Sequence, residues 1–349
     1  MFSVPTVFVI GAGAGKDVGM PVGSELSVEI ANKLNIKHKD FGPELVSGDY
    51  EISAALRRIA KAKGENYNDW RSAGCMVATG INYTRSVDSY LNAHKDNEKV
   101  KVCGKLAIAH VILAHENDCA LYVDPRSPTG FADPSKVERS WFSDLLYVLQ
   151  DRIVVSENLD DIFANLCIIN FNYDRCVEQF LFYALQHLYQ ISQARAFELM
   201  RRLKIFHPYG QVGFMPWAPE GRRQVGFGVT DYGELVELSA EIRTFNEQLD
   251  DEADLRIIRE EVAEAQRFVF LGFHFHHQNM DLLKASGPGR GGIVNTYATA
   301  LDRSAADHVL IDGQIRAMLA NRGGTWNVFV ERAVDCKGLF GDYRATWLR

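Results

Sequence analysis

Short apolar runs punctuate this chain, and each stops at a glycine or a polar turn residue. Residues 7–10 (VFVI) break into Gly11, and residues 166–174 (LCIINFNYD) end on Asn172 and Asp174. Residues 204–210 (KIFHPYG) present His207, and residues 268–273 (FVFLGF) carry Gly272. Apolar runs this short predict strands buried on both faces, with the polar residues at their C-terminal tips. Residues 119–123 and 326–330 read as two further strands. Helical spacing predicts helices after the first strand past Ser24, over 45–63 (Ile52, Leu56 and Ile59 on one face), 85–94 and 105–115. Others are expected over 176–203, 234–266 and around 312–321, with 293–301 a further element between them. Residues 124–134, rich in Pro, Ser, Gly and Asp, predict a loop, and 212–228 a hairpin or flap. Strands alternating with helices predict an α/β fold with a Rossmann-like, doubly wound, mainly parallel sheet. The expectation is one domain over residues 1–349, capped by a helical insertion at about 40–118.

The first turn carries the strongest chemical signal. Gly11, Gly13 and Gly15 alternate with Ala12 and Ala14 just where a strand should hand over to a helix. Glycines there permit positive φ, close approach of a ligand, and backbone N–H groups aimed at an anion. The spacing excludes the two commonest phosphate loops. Lys16 stands where the dinucleotide fingerprint needs its third glycine, and Ile10 and Asp17 stand where a Walker A loop needs Gly and Ser or Thr.

The pattern that fits is G-A-G-x-x-x-x-x-G-x-P, from Gly11-Ala12-Gly13 through Gly19 to Pro21. It resembles the nucleotide loop of the sirtuin-like superfamily. Three later segments strengthen the resemblance by their order: Asn172-x-Asp174, His207-x-x-Gly210 and the strand ending at Gly272. Residues 86–91 (SVDSYL) add a faint likeness. Two departures point away from the deacylases of that superfamily: Val22-Gly23-Ser24 replaces their Asp-Phe-Arg, and none of the six cysteines form a C-x-x-C pair for structural zinc. The chain therefore resembles the divergent branch of bacterial anti-phage defence NADases. That resemblance implies NAD as substrate, no metal, and hydrolysis to nicotinamide and ADP-ribose. It implies Asn172 and His207 as the catalytic pair. Gly11, Ala12, Gly13, Ala14, Gly15, Pro21, Asp174, Gly272 and His274 would hold the dinucleotide. It also implies NAD depletion as an abortive response to infection. Such an activity would be gated by homo-oligomerisation or by a partner ATPase or sensor encoded nearby. Alternatives from other classes are a non-catalytic subunit that senses NAD or ADP-ribose, and ADP-ribosyl transfer.

The individual residues also admit structural roles. Asn172 is a common turn residue, His207 a potential buried histidine, and Asp174 a potential helix N-cap. His274, His276 and His277 suggest a metal, but no carboxylate or cysteine spacing completes a ligand set, so His274 fits better as a wall of the adenosine pocket. A net charge of −7 argues against a broad grip on nucleic acid or anionic membranes. Scattered cysteines, no long apolar stretch and no leader-like start predict a cytoplasmic protein.

Overall fold

A computed structural model describes residues 1–39, 44–124, 126, 133–245, 247, 252–285 and 287–348. Its centre is a six-stranded, wholly parallel sheet. In chain order the strands are β1 (Thr6–Ile10), then β2 (Lys37–His38) and β3 (Leu45–Ser47) of a separate small hairpin. The sheet continues with β4 (Leu166–Asn170), β5 (Lys204–Phe206), β6 (Arg267–Leu271), β7 (Ile293–Thr299) and β8 (Thr325–Glu331). Their spatial order is β5-β4-β1-β6-β7-β8. Counting only these six, that is 3-2-1-4-5-6, the order of a Rossmann-like α/β fold. β1, β4 and β6 are buried along their whole length, as their apolar runs predict, and the outer strands β5 and β8 are half exposed.

The order reverses between β1 and β6, and there the first glycine turn meets the turn after β6. Gly11 donates its amide to the Leu271 carbonyl and Gly13 donates to that of Gly272, both at 3.0 Å. A Cβ on Gly272 would stand 2.1 Å from the Ala14 nitrogen, and Gly272 holds φ +55°. A Cβ on Gly11 would come within 2.7 Å of the Gly272 oxygen. Two backbones can approach so closely only without side chains. Gly272→Ala should therefore cost more than about 1–2 kcal/mol, read as a lower melting temperature.

From this turn the chain passes through a 3-10 helix, Ala12–Val18, which Gly19 ends at φ +93°. Trp141 fastens it: its indole N–H donates to the Ala14 carbonyl (2.8 Å) and its amide to Asp17 Oδ2 (3.1 Å). Helix α1 (Gly23–Leu34) follows, and α2 (Tyr50–Lys63), α3 (Tyr67–Gly80), α4 (Val87–Ala93) and α5 (Glu98–Asp118) lie in the segment expected to be helical.

Several elements differ from expectation for local reasons. Residues 45–63 divide into β3 and α2, because Gly48 turns at φ +88° and Asp49 caps α2 by accepting the Glu51 and Ile52 amides. Residues 176–203 form two helices, Cys176–Tyr189 and Gln193–Met200, parted by Gln190 in the left-handed region and restarted by the Ser192 cap. Residues 119–123 form no strand: the Ala120 amide donates to the Val18 carbonyl, and the Leu121 carbonyl accepts from Gln179. In 212–228, Phe214 and Val225 pair around a bend without making regular strands. Within 234–266, Leu235–Ser239 and Glu252–Glu264 are helical, and 246 and 248–251 lie outside the described residues. Of the loop at 124–134, positions 125 and 127–132 also lie outside them. The helix expected near 312–321 spans Ala305–Leu319. No helix among the described residues is long and apolar enough to cross a membrane.

Candidate functional site

Ligands of open α/β sheets bind beyond the carboxyl ends of the strands where the order reverses. A cleft of about 240 Å³ lies at that place in this fold. Its floor is the turn Gly11–Ala12 and its walls come from four elements. Pro21 to Ser24 lead into α1, Arg85 to Ser89 into α4, Phe171 to Asp174 follow β4, and Phe273, His274, His276 and Asn279 follow β6. The N-terminus of α1 thus opens on the cleft, with Glu25 already accepting the Val22 amide. The partial positive charge of a helix start favours an anion there.

Of the residues expected to contact a dinucleotide, Gly11, Ala12, Pro21, Asn172, Asp174 and His274 line this cleft. Gly13, Ala14, Gly15 and Gly272 do not; Gly13 and Ala14 are packed against Gly272, and Gly15 against Met20. Asn172 is held by its side-chain nitrogen, which donates to the Gly11 carbonyl (3.2 Å), and by its amide, which donates to Asn170 Oδ1 (3.1 Å). The N-cap position of helix Cys176–Tyr189 is Arg175, not Asp174, but Asp174 accepts the Cys176 amide (3.1 Å) from one residue earlier while lining the cleft. Burial pushes the Asp174 carboxyl up to about 6, and the negative charges of Glu116 and Glu178 push the same way.

His207 does not line this cleft; it stands behind the Asn172 turn. Its Nδ1 meets the Asn172 carbonyl at 3.0 Å and its Nε2 meets Glu178 Oε1 at 2.9 Å. Burial pushes the imidazole down, but the Glu178 carboxylate and the Asn172 carbonyl together outweigh it, so the ring holds its proton above the usual histidine range. With both nitrogens engaged, the ring fixes the Asn172 backbone and the buried Glu178.

Three features of the cleft carried little or no sequence signal. Asp88, at the start of α4, is half-buried and hydrogen-bonded by the Tyr173 hydroxyl, 85 positions away in sequence. Tyr209 donates to Asn279 Oδ1 (2.7 Å) across the cleft. Arg85 and Arg303 stand near the histidines: burial first, then these cations, push His276 down, and burial with Arg303 does the same to His274. The His274 and His276 rings stack at 5.6 Å. Among the described residues no group of three or more His, Cys, Asp or Glu is arranged to hold a metal ion.

Below the cleft, Arg175 and Glu116 form a completely buried ion pair. Glu116 accepts from the Arg175 amide, Nε and Nη2, and from the Gly228 amide. Arg175 also donates to the carbonyls of Val225 and Gly226. This pair ties the turn carrying Asn172 and Asp174 to α5 and to the 225–228 loop.

In comparisons with known proteins, the chain matches no protein-family model, no curated protein and no solved structure.

Proposed function

We propose that the cleft binds NAD and hydrolyses it to nicotinamide and ADP-ribose. The observation that carries this reading is the convergence, at the switch point of a 3-2-1-4-5-6 sheet, of a glycine floor, a helix N-terminus, Asn172 and two carboxyls, the buried Asp174 and the half-buried Asp88. A dinucleotide supplies a matching set of groups. Its diphosphate suits the N-terminus of α1 and the neighbouring Arg85, and its two riboses suit the polar walls. The cleft is slightly smaller than the roughly 300–1,000 Å³ of small-molecule pockets, so part of the dinucleotide extends along its rim.

Hydrolysis requires little of the protein's acids, because nicotinamide leaves as a neutral molecule. The bond from the ribose anomeric carbon to the ring nitrogen breaks, its electrons pass to the nicotinamide, and a water oxygen takes its place. Asn172 orients the ribose or the water. The Asp174 carboxylate offsets the positive charge of the oxocarbenium-like state and accepts the proton that the water gives up, a role suited to a group titrating near 6. His207 acts through the Asn172 carbonyl as a positioning residue.

A second reading is favoured by that same histidine. With both ring nitrogens engaged it is not poised as a base toward the cleft, which suits a subunit that senses NAD or ADP-ribose without turnover. ADP-ribosyl transfer shares the first half of the chemistry and differs only in its acceptor. Defence by NAD depletion, with gating through oligomers or through a partner ATPase or sensor, belongs to the hydrolase reading and rests on the resemblance of the four motifs.

Binding is tested by thermal melting with NAD and ADP-ribose. A ligand at 100 times its Kd should add about 2.7 kcal/mol of stability. Melting unchanged by either ligand at millimolar concentration sinks both the hydrolase and the sensing readings. Asp174→Asn gives a sharper result with a defined sign. The folded pKa of Asp174 lies above its ordinary value, so ionising it opposes folding, and stability falls as pH rises from about 4 through about 6. The Asn variant keeps the acceptor for Cys176 without the charge. It should be more stable than the parent at pH 7.5, on the order of 2–3 kcal/mol, and no more stable at pH 4. Its NAD turnover should be lost. Equal melting of variant and parent at pH 7.5 would show that the carboxyl is not strained.

A further inference from the structure

Cations gather at one corner of the cleft. His274 and His276, which follow β6, line it, and their rings stack at 5.6 Å. The turn after β7 brings Arg303 beside them. The helix that follows this turn, Ala305–Leu319, packs on the histidine turn, where Gln314 Nε2 donates to the Phe275 carbonyl (3.0 Å). Every charge that acts appreciably on the two rings is a cation: Arg303 on both, Arg85 on His276, and His276 on His274. Among the described residues, neither ring and neither guanidinium has a hydrogen-bond or ion-pair partner. The acids of the flanking helices are already engaged. Ser304 holds Asp307 (2.8 Å), and His277 (3.1 Å) and Lys284 (2.5 Å) hold Asp281. The cleft's own carboxyls, Asp88 and Asp174, take the Tyr173 hydroxyl and the Cys176 amide on the α4 and β4 walls.

In a chain of net charge −7, such side chains left without counter-charges favour a ligand that brings its own. The sheet order tells which part of a dinucleotide meets them. Asn172 and Asp174, set against the ribose whose bond breaks, follow β4; the glycine floor and α1, set against the diphosphate, follow β1; the histidines follow β6. These strands lie side by side in the order β4-β1-β6. A ligand laid across them therefore places its adenosine half at the histidine corner. Dinucleotide sites selective for NAD set a carboxylate on the adenosine ribose, whereas those that take a 2′-phosphate set an arginine there. This corner has the second composition.

We propose that the cleft prefers a dinucleotide phosphorylated on its adenosine ribose, NADP, over NAD, and that His274, His276 and Arg303 hold the added phosphate. The inference rests on the dinucleotide reading above and names its substrate more narrowly. A phosphomonoester carries about −1.5 to −2 charges at pH 7 and three strong acceptor oxygens, which suits two imidazoles and a guanidinium that have no other partner.

The test is calorimetric titration of the whole protein with ADP-ribose and with ADP-ribose 2′-phosphate. Neither carries a nicotinamide bond, so hydrolysis does not enter the readout. The phosphorylated ligand should bind at least about tenfold more tightly at pH 7. Arg303→Gln changes an exposed side chain without a partner and should melt with the parent. It should weaken the phosphorylated ligand about tenfold and leave ADP-ribose unchanged, and Arg303→Lys should restore part of the loss. His276→Gln should narrow the same preference. Equal binding of the two ligands by the parent overturns the proposal and leaves the dinucleotide reading standing. Equal weakening of both ligands by Arg303→Gln also overturns it, because the corner then holds the diphosphate. If neither ligand binds at millimolar concentration, the dinucleotide reading falls and this inference falls with it.

Discussion

Asn172→Ala should lower NAD hydrolysis by at least about 100-fold and leave the protein folded. Removing one preorganised hydrogen-bonding group from a transition state commonly costs that factor, about 2.7 kcal/mol. The structural loss is small by comparison. Among the described residues the side chain makes one hydrogen bond, to the Gly11 carbonyl, worth about 0.5–1.5 kcal/mol, and the backbone bond to Asn170 survives. Melting within a few degrees of the parent, together with lost turnover, is the expected pair of results. Full activity in the variant would remove Asn172 from the mechanism. His207→Ala is the wrong companion, although the motif suggests it. It would leave Glu178 buried without its ion-pair partner, at a cost of about 3–5 kcal/mol, so lost activity would not separate chemistry from folding. His207→Gln, whose amide can still donate to Glu178, is the informative change. In the positioning role assigned here it should retain more activity than Asn172→Ala.

Glu116→Ala should be the most destabilising single change in the site region. It leaves the Arg175 guanidinium completely buried and removes the acceptor for four donors. Breaking such a pair costs about 3–5 kcal/mol, against a typical total stability of about 5–15. The double variant Glu116→Leu with Arg175→Met should recover much of that loss, because replacing both partners leaves no stranded charge. Denaturant melts of the two singles and the double give the coupling directly. Additive losses would mean that the two side chains contribute independently, contrary to the geometry. NAD turnover should fall with the singles even below their melting range, since the pair anchors the turn that carries Asn172 and Asp174.

Much of the fold was legible in the sequence because the buried strands of a parallel sheet are locally encoded. The runs at 7–10, 166–170 and 268–271 are apolar on both faces, and each became a central strand. Asn172, Asp174 and Gly11 were likewise readable, since they follow those strands directly and the topology brings strand ends together. Breaks inside helical stretches were harder to see. Gly48-Asp49 and Gln190-Ile191-Ser192 carry a turn and a cap, but the flanking apolar spacing runs on as if unbroken. The apolar stretch at 119–123 misled, because its backbone groups are taken by the Val18 carbonyl and the Gln179 side chain in place of a strand neighbour. Long-range pairs left no local trace. Asp88 with Tyr173 and Glu116 with Arg175 are 85 and 59 positions apart. Glu178 did leave one: a charge beside Val177 and ahead of Phe180 and Leu181 on a buried helix needs a partner, and His207 is that partner. That pairing is why His207 sits behind the Asn172 turn and not on the wall of the cleft.

The central claim is that this cleft breaks the nicotinamide–ribose bond of NAD. Its most direct test is incubation of the purified protein with NAD, with products separated by chromatography and Asn172→Ala run in parallel. Oligomeric fractions and the product of the adjacent gene should be included, because gating is part of the proposal. The account predicts equal amounts of nicotinamide and free ADP-ribose from the parent and neither from the variant. NAD that binds and stays whole under every condition would contradict hydrolysis and leave the sensing reading in its place.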